Sequence, residues 1–117
     1  MKTSRDPRHR KRQRFVQELF SFDFQNQPVS VETQKILGHQ EHIDKTIQQA
    51  APDFPVEKIN KIDLAILRLA VYELLIDRKE PQNVIIDEAV ELAKEFGNNT
   101  SPAFINGVLG HITTYEQ

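Results

Sequence analysis

Residues 56–76 read VEKINKIDLAILRLAVYELLI, and no other stretch restricts the fold so tightly. At helical spacing Ile59, Ile62, Ile66, Leu69, Ala70 and Leu74 line one side. Leu67, Val71 and Leu75 carry the apolar surface around most of the remainder. A helix of about 20 residues that is hydrophobic nearly all round belongs at the centre of a bundle. Arg68 interrupts it and must be paired or reach the surface, with acids such as Glu73 or Glu88 as candidate partners.

The flanking segments supply the surroundings. From Arg10 onward Phe15, Val16, Leu19, Phe20 and Phe22 follow helical spacing, and the pattern fades at Gln25–Pro28. Ser30 is suited to cap a second helix with Ile36, Leu37, Ile43, Ile47 and Ala50 on one stripe. Pro52 ends that helix, and Gly38 weakens it by about 1 kcal/mol relative to alanine, enough for a break. After the turn DRKEPQN, Ile85, Ala89, Leu92, Ala93 and Phe96 recur at helical intervals up to Gly97, a C-terminal stop. Ser101 and Pro102 read as an N-cap and first helical residue, which places Phe104 at the third position of the last helix. Ile105, Val108, Leu109 and Ile112 continue that helix. No run alternates as a strand does. The expected fold is all-α, a compact bundle of about five helices, with residues 9–117 as one domain behind a flexible basic arm at 1–8.

The net charge of −2 hides an asymmetry. Residues 1–14 hold seven basic side chains and one acid, whereas the rest of the chain is strongly acidic. A polyanion is therefore drawn to one end only. Arginines leading into a helix suit phosphate contacts; a solubilising tail or a targeting segment has the same composition. With no cysteine and no apolar window of 18 residues, the sequence fits a reducing cytoplasm and no membrane.

Catalytic hardware is thin. His39 and His42 lie at i, i+3 near Asp44, but no third metal ligand stands at a recognised spacing, and His111 is alone. Asp87, Glu88 and Glu91 read as acids complementing a helix dipole, and the four glycines form no phosphate loop. These features point away from an enzyme, a metal site or a cofactor.

Residues 62–75, IDLAILRLAVYELL, and 84–109, VIIDEAVELAKEFGNNTSPAFINGVL, resemble the NusB family of bacterial transcription antitermination factors. That family's pattern runs approximately V-D-R-A-I-L-R-L-A-x-Y-E-L, then V-x-I-N-E-A-V-E-L-A-K-x-F-G, then S-x-x-F-V-N-G-V-L. Arg8 through Phe20 is similar to its R-x-x-A-R-E-x-A-x-Q-A-L-Y, keeping Arg8, Arg12, Gln17 and Leu19. The resemblance implies a NusB-like helical bundle that binds single-stranded boxA-like RNA together with NusE, a small-subunit ribosomal protein. It further implies a place in the RNA polymerase antitermination complex that supports processive rRNA transcription. By the same resemblance Arg8, Arg10, Arg12, Ser101 and Phe104 contact RNA, and Phe20 and Asp63 contact the protein partner. Members of the family are monomers or dimers, which leaves a homodimer open.

This chain departs from the pattern in informative places. Lys11, Phe15 and Glu18 stand where the family usually has alanine, Phe20 replaces a tyrosine, and Asn99–Thr100 replaces an acidic loop. The segment before Ser30 is about twenty residues shorter than in typical members, which leaves no room for their short second helix and uncovers whatever it shields. Two other readings follow: an adaptor that keeps the bundle without RNA recognition, and a stand-alone relative of the NusB-like domain of rRNA methyltransferases.

Overall fold

The computed structural model describes residues 6–115. Among them are six α-helices and no strand. They are α1 (Pro7–Gln25), α2 (Val31–Leu37), α3 (Gln40–Ala50), α4 (Lys61–Tyr72), α5 (Gln82–Phe96) and α6 (Ser101–Tyr115). Helix α4 is the axis of the molecule. Every residue from Asp63 to Val71 is buried, and α1, α2, α3, α5 and α6 all pack against it. The all-round hydrophobic pattern is thus satisfied from every side, by Val16 and Leu19 of α1, Ile43 and Ile47 of α3, Ile85 and Leu92 of α5, and Ile105 and Leu109 of α6.

The boundaries show which local signals won. Asp6 accepts a hydrogen bond from the Arg8 N–H at 2.9 Å, and Pro7 opens α1. The helix therefore begins three residues before Arg10, and Pro7 and Arg8 belong to it rather than to a flexible arm. The remainder of the expected arm, residues 1–5, lies outside the described residues. Asn26 ends α1 in the left-handed region (φ 52°) and donates its N–H to the Phe22 carbonyl.

Ser30 caps α2 as its sequence suggests, accepting from the Thr33 N–H. The expected long second helix is broken at Gly38 and His39 into α2 and α3, which makes the count six rather than five. The central segment is also divided. A 3-10 turn at Val56–Lys58 precedes Asn60, whose side chain caps α4 by accepting from Ile62 and Asp63 N–H. A π turn at Glu73–Asp77 then closes the far end, with Arg78 at φ 54°. At the last helix the Phe104 N–H bonds to the Thr100 carbonyl, so Thr100 takes the cap position and Phe104 stands one place later than expected.

Helix α2 is fastened to α1 by the chain's own departures from the family pattern. Glu18 accepts from both the Ser30 N–H and its hydroxyl at 2.9 Å. Lys11 and Arg14 each meet Glu32 at 2.9 Å. Phe15 lies half-buried between them, its ring centre 5.8 Å from the Lys11 ammonium and 5.1 Å from the Arg14 guanidinium. These residues dock a neighbouring helix rather than crowd a ligand face.

Candidate nucleic-acid interface

The first helix has a buried stripe of His9, Arg12, Val16 and Leu19, so two ionisable residues continue the line of the apolar ones. Arg12 is 6% exposed. Its guanidinium bonds to Glu73 at 2.7 and 2.9 Å, Glu80 at 2.6 Å and Glu88 at 3.4 Å. These acids come from the π turn after α4, the following loop and α5. Burial by itself would lower the Arg12 pKa, but the hydrogen bonds and charges of Glu73 and Glu80 outweigh it and hold the cation.

His9 is 3% exposed and spans two acids, Nδ1 to Glu88 at 2.9 Å and Nε2 to Glu95 at 2.8 Å. Burial opposes its charge, but the two carboxylates prevail and raise its pKa above the ordinary histidine value. As imidazolium it donates to both. Glu88 thus serves as a buried partner to His9 and Arg12, in the second turn of an α5 that begins at Gln82, rather than as a first-turn dipole complement.

This network orients the surface cations. Arg8 is exposed and reaches Glu80 at 3.3 Å, Arg10 is exposed, and Lys11 and Arg14 lie along the α2 clasp. Of the three arginines expected to meet RNA, Arg8 and Arg10 face solvent and Arg12 does not.

The expected residues at the other end are also sorted by burial. Ser101 is 0% exposed, and its hydroxyl accepts from the Asn98 N–H at 3.0 Å. Asp63 is 5% exposed, with Oδ1 lacking a hydrogen-bond partner. Burial pushes its carboxyl up, and a hydrogen bond with Ser101 offsets part of that rise. Both side chains are turned inward, and together they brace the loop entering α6 against the start of α4. Phe104 is half-buried against the core and meets Phe54 edge-to-face at 5.2 Å, with Phe54 53% exposed. Phe20 is half-buried and packs on the exposed Phe24 at 4.9 Å.

The structure does not bring the two groups of expected RNA residues into one cluster. Arg12 meets Glu73 just beyond the end of α4, whereas Ser101 touches Asp63 near its start. Ten residues of helix separate these points, about 15 Å.

Arg68 is paired as its setting demands, but not with Glu73 or Glu88. It forks onto Asp44 with two bonds of 2.9 Å and reaches Asp23 at 3.4 Å, and Lys61 holds the other oxygen of Asp23 at 2.9 Å. Glu73 and Glu88 turn toward α1 instead. The sequence separation of 24 and 45 residues explains why local reading missed these partners. His9 was missed because a histidine within a basic run looks solvated; its i, i+3 and i+7 relation to Arg12 and Val16 is the signal that marks it. His39 and His42 are exposed, and no group of three potential metal ligands occurs among the described residues.

The family model described as NusB family matches residues 7–114. The transcription antitermination protein NusB of Chloroflexus aggregans is 39% identical over 130 residues, covering 92% of this chain and 87% of that protein. That of Lysinibacillus sphaericus is 37% identical over 125 residues, covering 93% and 98%. Both alignments are longer than the 117-residue chain, so each relative carries residues that this chain lacks. Among solved structures, T. maritima NusB superposes with a TM-score of 0.82 at 29% identity, covering 98% of this chain and 94% of that one. The fold is shared, at 20% identity and a TM-score of 0.77, with a chain from a crystal structure of antitermination factors NusB and NusE in complex with dsRNA, over 93% of this chain and 98% of that one. The matched span takes in the whole bundle from the first turn of α1 to the end of α6, and the chain belongs to the NusB family.

Proposed function

We propose that this chain is an RNA-binding transcription antitermination factor that acts as a scaffold and performs no chemistry. The observation that carries the reading is the start of α1, where buried Arg12 and His9 fix a helix whose Arg8 and Arg10 face solvent. Four acids oppose those two buried cations, so the helix end is held rigidly while Arg8 and Arg10 stand at the surface, where guanidinium groups suit phosphate oxygens. The ligand is single-stranded, boxA-like RNA, bound by arginine–phosphate pairing with base contact at Phe104. Arg12, Ser101 and Asp63 support this surface from beneath. The protein partner is a NusE-type ribosomal protein, received on the Phe20 and Phe24 rings and the start of α4, and the assembly works within the RNA polymerase antitermination complex in the cytoplasm.

The test is RNA binding by the full chain titrated with salt, with and without NusE. Affinity falls steeply with salt and rises when NusE is present. Arg8→Ala plus Arg10→Ala weakens binding and lowers the salt slope by about 1 for each phosphate no longer neutralised. Affinity for boxA-like RNA with NusE no better than for a scrambled sequence sinks the reading.

A further inference from the structure

The residues that fasten α2 to α1 also enclose a cavity of about 230 Å³ between the start of α1, α2 and the end of α4. The rings of Phe15 and Tyr72 and the side chains of Ile36 and Leu69 line it together with four carboxylates, those of Glu32, Glu73, Asp77 and Glu80, and with basic side chains that include Lys11 and Lys35. Both rings are half-buried and packed against the core, so they are fixed surfaces rather than mobile ones. The volume is below the range of pockets for drug-sized ligands and suits a single ring system.

The charges around the cavity argue against a free anion as occupant. Lys11 is already held by Glu32 at 2.9 Å, and Arg12 by Glu73 and Glu80 at 2.7 and 2.6 Å. What remains is an aromatic and aliphatic slot whose edge offers both donors and acceptors. That combination matches a nucleobase, which has two apolar faces and a mixed hydrogen-bonding edge. Arg8 also lines the slot, exposed and paired with Glu80 at 3.3 Å and Asp6 at 3.6 Å. These exposed pairs exchange readily for an RNA phosphate, which then keeps its own nucleotide within reach of the slot.

We propose that this cavity receives one unpaired base of the bound RNA, with Phe15 and Tyr72 as the contacting rings. The proposal rests on the RNA-binding reading given above and adds to it a base site away from the loop that presents Phe104.

The deciding experiment uses the full chain with single-stranded boxA-like RNA carrying 4-thiouridine at one position at a time, photocrosslinked and mapped by mass spectrometry, with and without NusE. One or two adjacent positions crosslink to Phe15 or Tyr72. Phe15→Ala and Tyr72→Leu each weaken RNA binding about 5- to 10-fold, the effect of losing one stacked base. Tight RNA binding with crosslinks confined to other residues, and with both variants at wild-type affinity, overturns the base site and leaves the RNA-binding reading standing. Loss of the Phe15 and Tyr72 crosslinks when NusE is added, with RNA still bound, assigns the slot to the protein partner and also overturns it. An absence of RNA binding by the wild-type chain overturns both. Crosslinks are read on the wild-type chain, so the result stands even where a variant melts.

Discussion

At the scale of single residues, charge in this protein is sorted by depth. Arg12 and His9 are inside, Arg8 and Arg10 outside, and the same basic run supplies both. Arg12→Ala leaves the half-buried Glu73 without its cation, takes one of their cations from Glu80 and Glu88, and lowers stability by about 3–5 kcal/mol, measured by urea unfolding. Loss of RNA binding in that variant therefore reports unfolding, which is why Arg8 and Arg10 are the better probes. His9 has a folded pKa above the unfolded value of about 6.5. Its contribution to stability is fully present below that pH and is lost as pH rises through the folded value. Unfolding free energy of the wild type consequently falls between pH 6 and pH 8 by more than that of His9→Gln, and equal slopes refute the assignment. Asp63 is the reverse of a stabilising acid. Its carboxyl is raised by burial, so its charged form opposes folding above the folded pKa. Asp63→Asn raises Tm at pH 7, and the gain shrinks as the pH is lowered toward the unfolded carboxyl value near 4.

At the scale of elements, periodicity identified the helices and long-range pairing set their ends and breaks. The apolar spacing located α4, α5 and α6, because their buried faces are periodic and their packing is generic, although the single helix expected over 56–76 is divided into a 3-10 turn, α4 and a π turn. The caps Asp6 and Asn60 went unread, since residues 1–8 were expected as an arm and the central helix was expected to run through Asn60. The α2–α1 clasp was not legible, since Glu18–Ser30 and Lys11–Glu32 join surfaces that no pattern relates. The turn from α5 to α6 is packed just as closely. A methyl group at Gly97 overlaps the Ser101 side chain and approaches the Ala93 carbonyl oxygen to 2.8 Å. Gly97→Ala therefore destabilises by about 1–3 kcal/mol, checked by thermal melting. Its φ of −92° is ordinary, so the cost is steric rather than conformational.

At the scale of the whole molecule, the all-α bundle was readable because one helix is hydrophobic on all sides and needs neighbours. The candidate site was readable only in outline. Composition showed that a polyanion is drawn to one end, but burial decides which arginine meets it, and the burial of Arg12 depends on pairings across 61 to 76 residues. RNA affinity measured on the intact chain should therefore track the folded fraction in urea: binding and the packing of helix α1 disappear in one transition, and binding that survives the loss of tertiary signal contradicts a surface built this way. The Arg12 network has one more consequence, for synthesis of the chain. Arg12 leaves the ribosome well before its acids, which follow at positions 73, 80 and 88. Until Glu88 has emerged, the guanidinium has no complete set of partners. The domain closes as a unit only when α5 becomes available to α1.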